Sequence, residues 1–215
     1  MSDASIFSVV CVDVLVLCYD TEAREIRLGL HRRSAPPFEG EFALPGVIVK
    51  SGERLAHAAC RAIDKLGLSP PARALGQLRT FDEPSRDPRG PSLSVAMWAV
   101  YPPETLSMPG PVWQSPSSAM GLAFDHDAIV VTGREILAAL CWRDLTFTRA
   151  LTGDRFTATD AVAITAQLTG RSVHRANLNR ELARLDGLHE AGLAPAAGGR
   201  PPKIWRWDEA THAIA

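Results

Sequence analysis

Residues 44–68 read LPGVIVKSGERLAHAACRAIDKLGL, a loop containing Pro45, Gly46 and Gly52 that feeds a helix. Leu55, Ala58, Ala59, Ala62, Ile63 and Leu66 recur at helical period as one apolar stripe, and Glu53, His57, Arg61, Asp64 and Lys65 fall largely outside it. Gly67 stands where a left-handed cap should end the helix. Such a polar face could serve phosphate-ester chemistry if it held magnesium, but magnesium needs several hard oxygen ligands. Here one acid opens the segment, a second lies near its end, and Lys65 follows the second. One acid at each end, the second followed by a lysine, is too few to hold such an ion. Arg32 and Arg33 at a strand end, and Arg86 and Arg89 around Asp87 in SRDPRGPS, are placed to converge on an anion, because guanidinium forks match diphosphate oxygens. His126, in FDHD, serves equally well as a structural hydrogen-bonding residue.

A second group of candidates lies near the C-terminus. Over residues 173–186 a helical stripe of Val173, Ala176, Leu178, Leu182 and Leu185 leaves Arg175, Asn177, Asn179, Arg180 and Arg184 for the outer surface. Arginine and asparagine read guanine and adenine edges or grip phosphate. The loop GGRPPK places Arg200, between glycines and prolines, and Lys203 where a ribbon tip could enter a minor groove. Residues 171–206 hold seven basic and three acidic side chains, Arg171 among them, so the near-neutral net charge of -1 conceals a local basic excess.

The elements that must position these residues follow from periodicity. Strand-like segments at 9–18, 25–31, 74–81 and 92–101, the helix within 44–68, and a helix at 133–141 are punctuated by proline and glycine clusters, as in a mixed-sheet α/β/α sandwich. From about residue 150 the texture changes. Thr157 or Thr159 caps a helix that runs to Gly170, the 173–186 helix follows, and strands at 188–192 and 203–208 flank the loop 193–202. Helix, turn, helix and ribbon outline a winged helix-turn-helix. The expected division is 1–149 for effector sensing and 150–215 for DNA binding. The apolar run 6–18 is too short for a membrane span and lacks preceding basic residues. Four cysteines without metal-ligand spacing read as reduced, mostly buried thiols of a cytoplasmic protein.

The segment 44–68 resembles the Nudix box, G-x5-E-x7-R-E-U-x-E-E-x-G-U. Glu53 and Arg61 match with the right spacing, and Gly67 and Leu68 match after a one-residue deletion. Val47 stands at the first glycine, Ala62 replaces the glutamate after the arginine, and Lys65 and Leu66 occupy the paired glutamates. Together with PPFEGEFALPG, RTFDEPSRDPRGPSLSVAMWAV, LAFDHDAIV, FTATDA, RANLNRELARLDGLHEAG and GGRPPKIWRW, the chain resembles the Nudix-related transcriptional regulators, bacterial repressors of NAD metabolism genes. The resemblance implies a Nudix-type sandwich and a winged helix, without a cofactor and without enzyme activity. It also implies a homodimer on double-stranded operator DNA, released when ADP-ribose or a related nucleotide fills a cleft built from Arg32, Arg33, Glu53, Arg61, Arg86 and Arg89. DNA contact falls to Arg171, Arg175, Asn177, Asn179, Arg180, Arg184, Arg200 and Lys203. Leu178, Asn179 and Glu181 depart from the family's usual RNFRRKL, which alters the operator and not the binding mode. The alternatives are an active hydrolase of nucleoside diphosphate derivatives and a repressor responding to a phosphosugar.

Overall fold

The computed structural model describes residues 8–195 and 201–209. The first strand, β1 (Val9–Asp20), is buried on both faces from Val12 to Tyr19 and organises the N-terminal layers. Its period-2 alternation divides it cleanly. Val12, Val14 and Val16 point into one core, and Leu15, Leu17 and Tyr19 into the other. β2 (Glu25–Arg32) pairs antiparallel with β1, β3 (Phe42–Ala43) pairs with β2, and β4 (Gly46–Ile48) pairs with the start of β1. The helix α1 (Leu55–Ile63) continues as a 3-10 turn over Asp64–Leu66 and covers the valine face. Ala58, Ala59 and Ala62 are fully buried, and their small side chains let the helix lie close to the sheet.

β5 (Ala74–Phe81) and β6 (Ser92–Tyr101) complete the main sheet, with β6 parallel to β1 and antiparallel to β5, and β7 (Val112–Gln114) pairs with β2. On the opposite face lie α2 (His126–Leu140) and α3 (Leu145–Thr152), through Ile129, Leu137, Phe147 and Leu151. This is the Nudix-type mixed-sheet α/β/α sandwich. The helix expected at 133–141 begins seven residues earlier, at His126. Polar residues at its start mask the periodicity. The short α3 is absent from the sequence reading, and the expected boundary at 149/150 falls inside it.

β8 (Arg155–Thr157) leads into α4 (Ala158–Thr169), and α5 (Arg175–Leu182) follows after a turn. Thr157 is the cap: its hydroxyl accepts from Asp160 N, while Asp160 accepts from Thr157 N at 2.8 Å. Gly170 closes α4 at φ 68°, left-handed backbone that favours glycine. β9 (Leu188–Leu193) and β10 (Lys203–Trp207) form the ribbon, and β8 joins β10 as a third strand. The arrangement is that of a winged helix-turn-helix. α5 is shorter than the expected 173–186, with Leu178 and Leu182 as its buried residues.

One hydrophobic cluster runs from Leu15 and Trp98 through Phe147 and Phe156 to Leu182 and Trp205. Polar clasps reinforce the joint. Gln167 on α4 accepts from Ile26 N and donates to Arg24 O, both at 2.8 Å, Tyr19 donates to Asp160, and Trp142 Nε1 donates to Thr165. Among the described residues no helix is long and apolar enough to cross a membrane. Cys18 and Cys141 are buried, Cys11 is intermediate and Cys60 is exposed, and all four are free.

Candidate functional site

A cleft of about 510 Å³ opens where β1, β2, β4, α1, the β5–β6 loop and the start of α2 meet. Its lining contains six cations, Arg33, Lys50, Arg61, Lys65, Arg86 and Arg89, against two carboxylates, Asp13 and Asp87. Four of the six sequence candidates, Arg33, Arg61, Arg86 and Arg89, gather here in different roles, while Arg32 and Glu53 lie outside the lining.

Arg86 is held from behind the cleft wall. Its Nη2 meets Asp13 Oδ2 at 3.2 Å and Asp125 Oδ1 at 2.8 Å, Nε donates to Asp125 Oδ2 at 3.0 Å, and Nη1 donates to Ser92 Oγ at 3.3 Å. The side chain is 3% exposed, so its fork is saturated by the protein. Asp13 also accepts from Ser94 Oγ at 2.6 Å and faces His126 Nε2 at 3.4 Å. Leu44 N donates to His126 Nδ1, which fixes the ring proton on Nε2, toward Asp13. Burial alone would raise the Asp13 carboxyl, but His126, Ser94 and Arg86 outweigh it and hold it at about 2. Gly46 fits over this cluster because it has no side chain: a Cβ there would lie 1.9 Å from Asp13 Oδ1.

Glu53 and Arg61 form a bidentate pair at 2.7 Å, and Arg61 also donates to Ile48 O while Glu53 accepts from Lys50 N. The Arg61 hydrogen bonds hold the Glu53 carboxyl down at about 2. The pair clasps the loop onto α1. Lys65 donates to Gly46 O, which brings an ammonium to the cleft floor. Although the residue as a whole is exposed, its ammonium titrates below the ordinary lysine range, because the walls strip water from it and Arg33, Arg61 and Arg89 repel it against the pull of Asp13.

In the same cleft, Phe124 has two guanidiniums within cation–π range, Arg33 at 4.7 Å and Arg89 at 5.4 Å from its ring centroid, with Phe38 edge-on at 4.9 Å. Phe124 has φ 61° and Phe38 has φ 62°, left-handed backbone that bulky residues adopt only when their surroundings impose it. Arg89 is further paired with Asp87, and Arg33 donates to Pro37 O and Ala35 O. Arg32 is turned away, bonded to Gly40 O and stacked on Phe42, outside the cleft lining. An ammonium and an aromatic ring with two arginines beside it, lining one cleft, suit an anion that also carries a flat group.

A divalent cation does not fit this donor set. Glu53 is engaged by Arg61, Lys65 projects to the carbonyl of Gly46, and among the described residues no three His, Cys, Asp or Glu side chains are placed to share an ion. The sequence reading missed Asp13, Phe124, Asp125 and His126 as a group. Only the FDH segment signalled them, since Asp13 sits inside an apolar strand.

In the C-terminal module, Arg175, Asn177 and Arg180 lie on the exposed face of α5, and Arg180 Nη2 donates to Asn177 Oδ1. Arg171 in the turn and Arg184 past the helix are exposed as well. Asn179 faces the ribbon instead, accepting from Trp205 Nε1 at 3.4 Å. Lys203, at the loop end of the ribbon opposite Leu193, pairs with Glu190. Arg200 lies outside the described residues.

No protein-family model matches the chain. It is similar to Shewanella oneidensis NrtR in complex with a 27mer DNA, with 25% identity, a TM-score of 0.73 and coverage of 93% of each chain. It is also similar to the Nudix domain of the same Shewanella protein in complex with ADP-ribose, with 26% identity and a TM-score of 0.52 over 64% of this chain and 93% of that one. A third similarity, 38% identity over 73 residues, is to the ADP-ribose pyrophosphatase of Methanocaldococcus jannaschii, and it spans 34% of this chain and 42% of that enzyme. The full-length likeness to the Shewanella regulator spans both modules, the sandwich and the winged helix, in the same order.

Proposed function

We propose that this protein is a DNA-binding transcriptional repressor of NAD metabolism genes, released from its operator when ADP-ribose or a related nucleotide fills the cleft. The observation that carries the reading is the substitution of an ammonium, Lys65, for metal-holding acids in a cleft lined by six cations. A diphosphate can be held there by Lys65 and Arg89, with Phe124 available to stack a base or to pack against a sugar. The relatives support this assignment, since one structure is described with DNA and another with ADP-ribose.

In this reading residues 1–149 sense the nucleotide and 150–215 bind DNA, in the cytoplasm. A homodimer places two α5 helices in successive major grooves of a pseudo-palindromic operator, with half-sites about one helical turn, ~10 bp, or a multiple apart. Arg175, Asn177 and Arg180 read bases. Arg171, Arg184, Arg200 and Lys203 grip the backbone or the minor groove. Nucleotide binding weakens DNA binding by favouring a dimer geometry that no longer matches the half-site spacing.

The match to a pyrophosphatase segment favours a second reading, hydrolysis of the nucleotide. The Glu53–Arg61 clasp and Lys65 oppose it, because metal catalysis needs ligands that fix the ion and bridge the diphosphate. Mobility shift on DNA upstream of the protein's own and adjacent genes, with and without ADP-ribose, tests the proposal. A shifted band that ADP-ribose releases supports it; turnover of ADP-ribose with magnesium at enzyme rates, abolished by Glu53→Gln, overturns it.

A further inference from the structure

A second cavity, of about 420 Å³, lies at the joint between the sandwich and the helix-turn-helix. Its volume falls within the ~300 to 1,000 Å³ of small-molecule sites. One wall comes from the sandwich, with Ile26, the serines of the 115–117 loop and Arg134 of α2. The other is the last turn of α4 and the turn that leads to α5, residues 166–172. The lining has two guanidiniums, Arg134 and Arg171, hydroxyls from Ser115, Ser117 and Ser172, and no carboxylate.

Arg134 carries the argument. Its Nε is buried without a hydrogen-bond partner among the described residues. A buried charged donor is costly to leave unpaired, so an acceptor supplied from the cavity would stabilise it. The nearby C-terminal end of α4, where a Cβ on Gly170 would lie 4.0 Å from Arg134 Nη2, supplies a diffuse negative pole but accepts no hydrogen bond from it. Ser115 and Ser117 bond one another at 2.9 Å, which leaves one hydroxyl proton of the pair to donate. Gln167, by contrast, is fully engaged in clasping Arg24 and Ile26, so the joint stays closed beside the cavity.

We propose that this cavity is a second anion site, which binds a phosphate group between Arg134, Arg171 and the serine hydroxyls. The phosphate completes the coordination of Arg134 and ties the sandwich to the turn that sets the pose of α5. By linkage, an occupant that prefers one pose changes DNA affinity by the same factor by which DNA changes its own. The site is distinct from the Lys65 cleft and shares no lining residue with it.

The test is amide NMR of the full chain while inorganic phosphate replaces chloride at constant ionic strength, with ribose 5-phosphate in a parallel titration. Saturable shifts of the Ser117, Gly170, Arg171 and Ser172 amides are expected, weakened about tenfold or more in Arg134→Gln. Equal affinities for the two probes identify free phosphate as the occupant; tighter binding of the sugar phosphate identifies a phosphomonoester. Shifts confined to cleft residues such as Val47 and Arg89, or shifts at the joint that persist unweakened in Arg134→Gln, overturn the proposal. If that variant does not fold, the shift map of the parent decides alone.

Discussion

Replacing Asp13 with asparagine removes one charge from the densest polar cluster of the sandwich while keeping its shape. The Arg86 side chain opposite is 3% exposed and Asp13 is 8% exposed, so solvent cannot replace what is lost. At 3.2 Å the pair is worth a gross ~5 kcal/mol at an effective dielectric of 20. Asp125, bonded to the same guanidinium at 2.8 Å, retains part of that. The expected net loss is ~3 kcal/mol, in keeping with breaking a buried pair by removing one partner. Urea unfolding at neutral pH of the parent, Asp13→Asn, Arg86→Met and the double variant measures it. The double variant should be less destabilised than the sum of the singles by ~2 kcal/mol, because the second change removes a charge already stranded. An acid titration adds an independent check. The Asp13 carboxyl is depressed from its usual 3.8 to about 2, so its stabilisation is present above the unfolded value and is lost as pH falls from ~4 toward 2, a contribution of ~2 kcal/mol. The Asp13→Asn variant should lack that component of the slope. Singles that each cost under ~1 kcal/mol, or a double equal to their sum, would show that Asp13 does not hold Arg86 and refute the reasoning.

Three other outcomes are expected. Gln167→Leu leaves the Ile26 amide, in a residue 1% exposed, without its acceptor; stability should fall by ~1 to 3 kcal/mol, with faster hydrogen exchange at that amide. Arg175→Ala should cost ~1 to 3 kcal/mol of operator affinity and relax one base position, whereas Asn179→Ala, facing Trp205, should lower melting temperature and leave base preference unchanged. Gly46→Ala, whose Cβ would collide with Asp13 Oδ1, should cost ~2 kcal/mol or more of stability in the same urea assay and reduce ADP-ribose affinity measured by calorimetry.

Strand alternation and glycine stops made the sandwich and the winged helix legible in the sequence, because each buried face repeats at the period of its element. Gly170 and the 74–81 and 92–101 strands stand where pattern alone puts them, and of the two threonines offered as the cap of α4 it is Thr157 that serves. What pattern could not reach was pairing across the fold. Asp13 reads as an interruption of an apolar strand, yet it anchors Arg86 from 73 residues away. Arg86 looks like a ligand reader by residue type, and its hydrogen bonds show that the protein itself saturates its fork, while Asn179 turns its Oδ1 toward Trp205. Lys65 was visible only as a missing glutamate. Its bond to Gly46 O gives it a place on the cleft floor.

In the proposed mechanism one cleft, floored by Lys65, governs release from DNA. Fluorescence anisotropy of its upstream DNA with the parent protein and with Lys65→Ala, each titrated with ADP-ribose, tests it most directly. Both proteins should bind the DNA equally without nucleotide, and ADP-ribose should release the parent at concentrations at least about tenfold below those needed for the variant, since one cation on a diphosphate is worth more than ~1.4 kcal/mol. Equal release of both proteins, or no DNA binding by the parent, would contradict the claim.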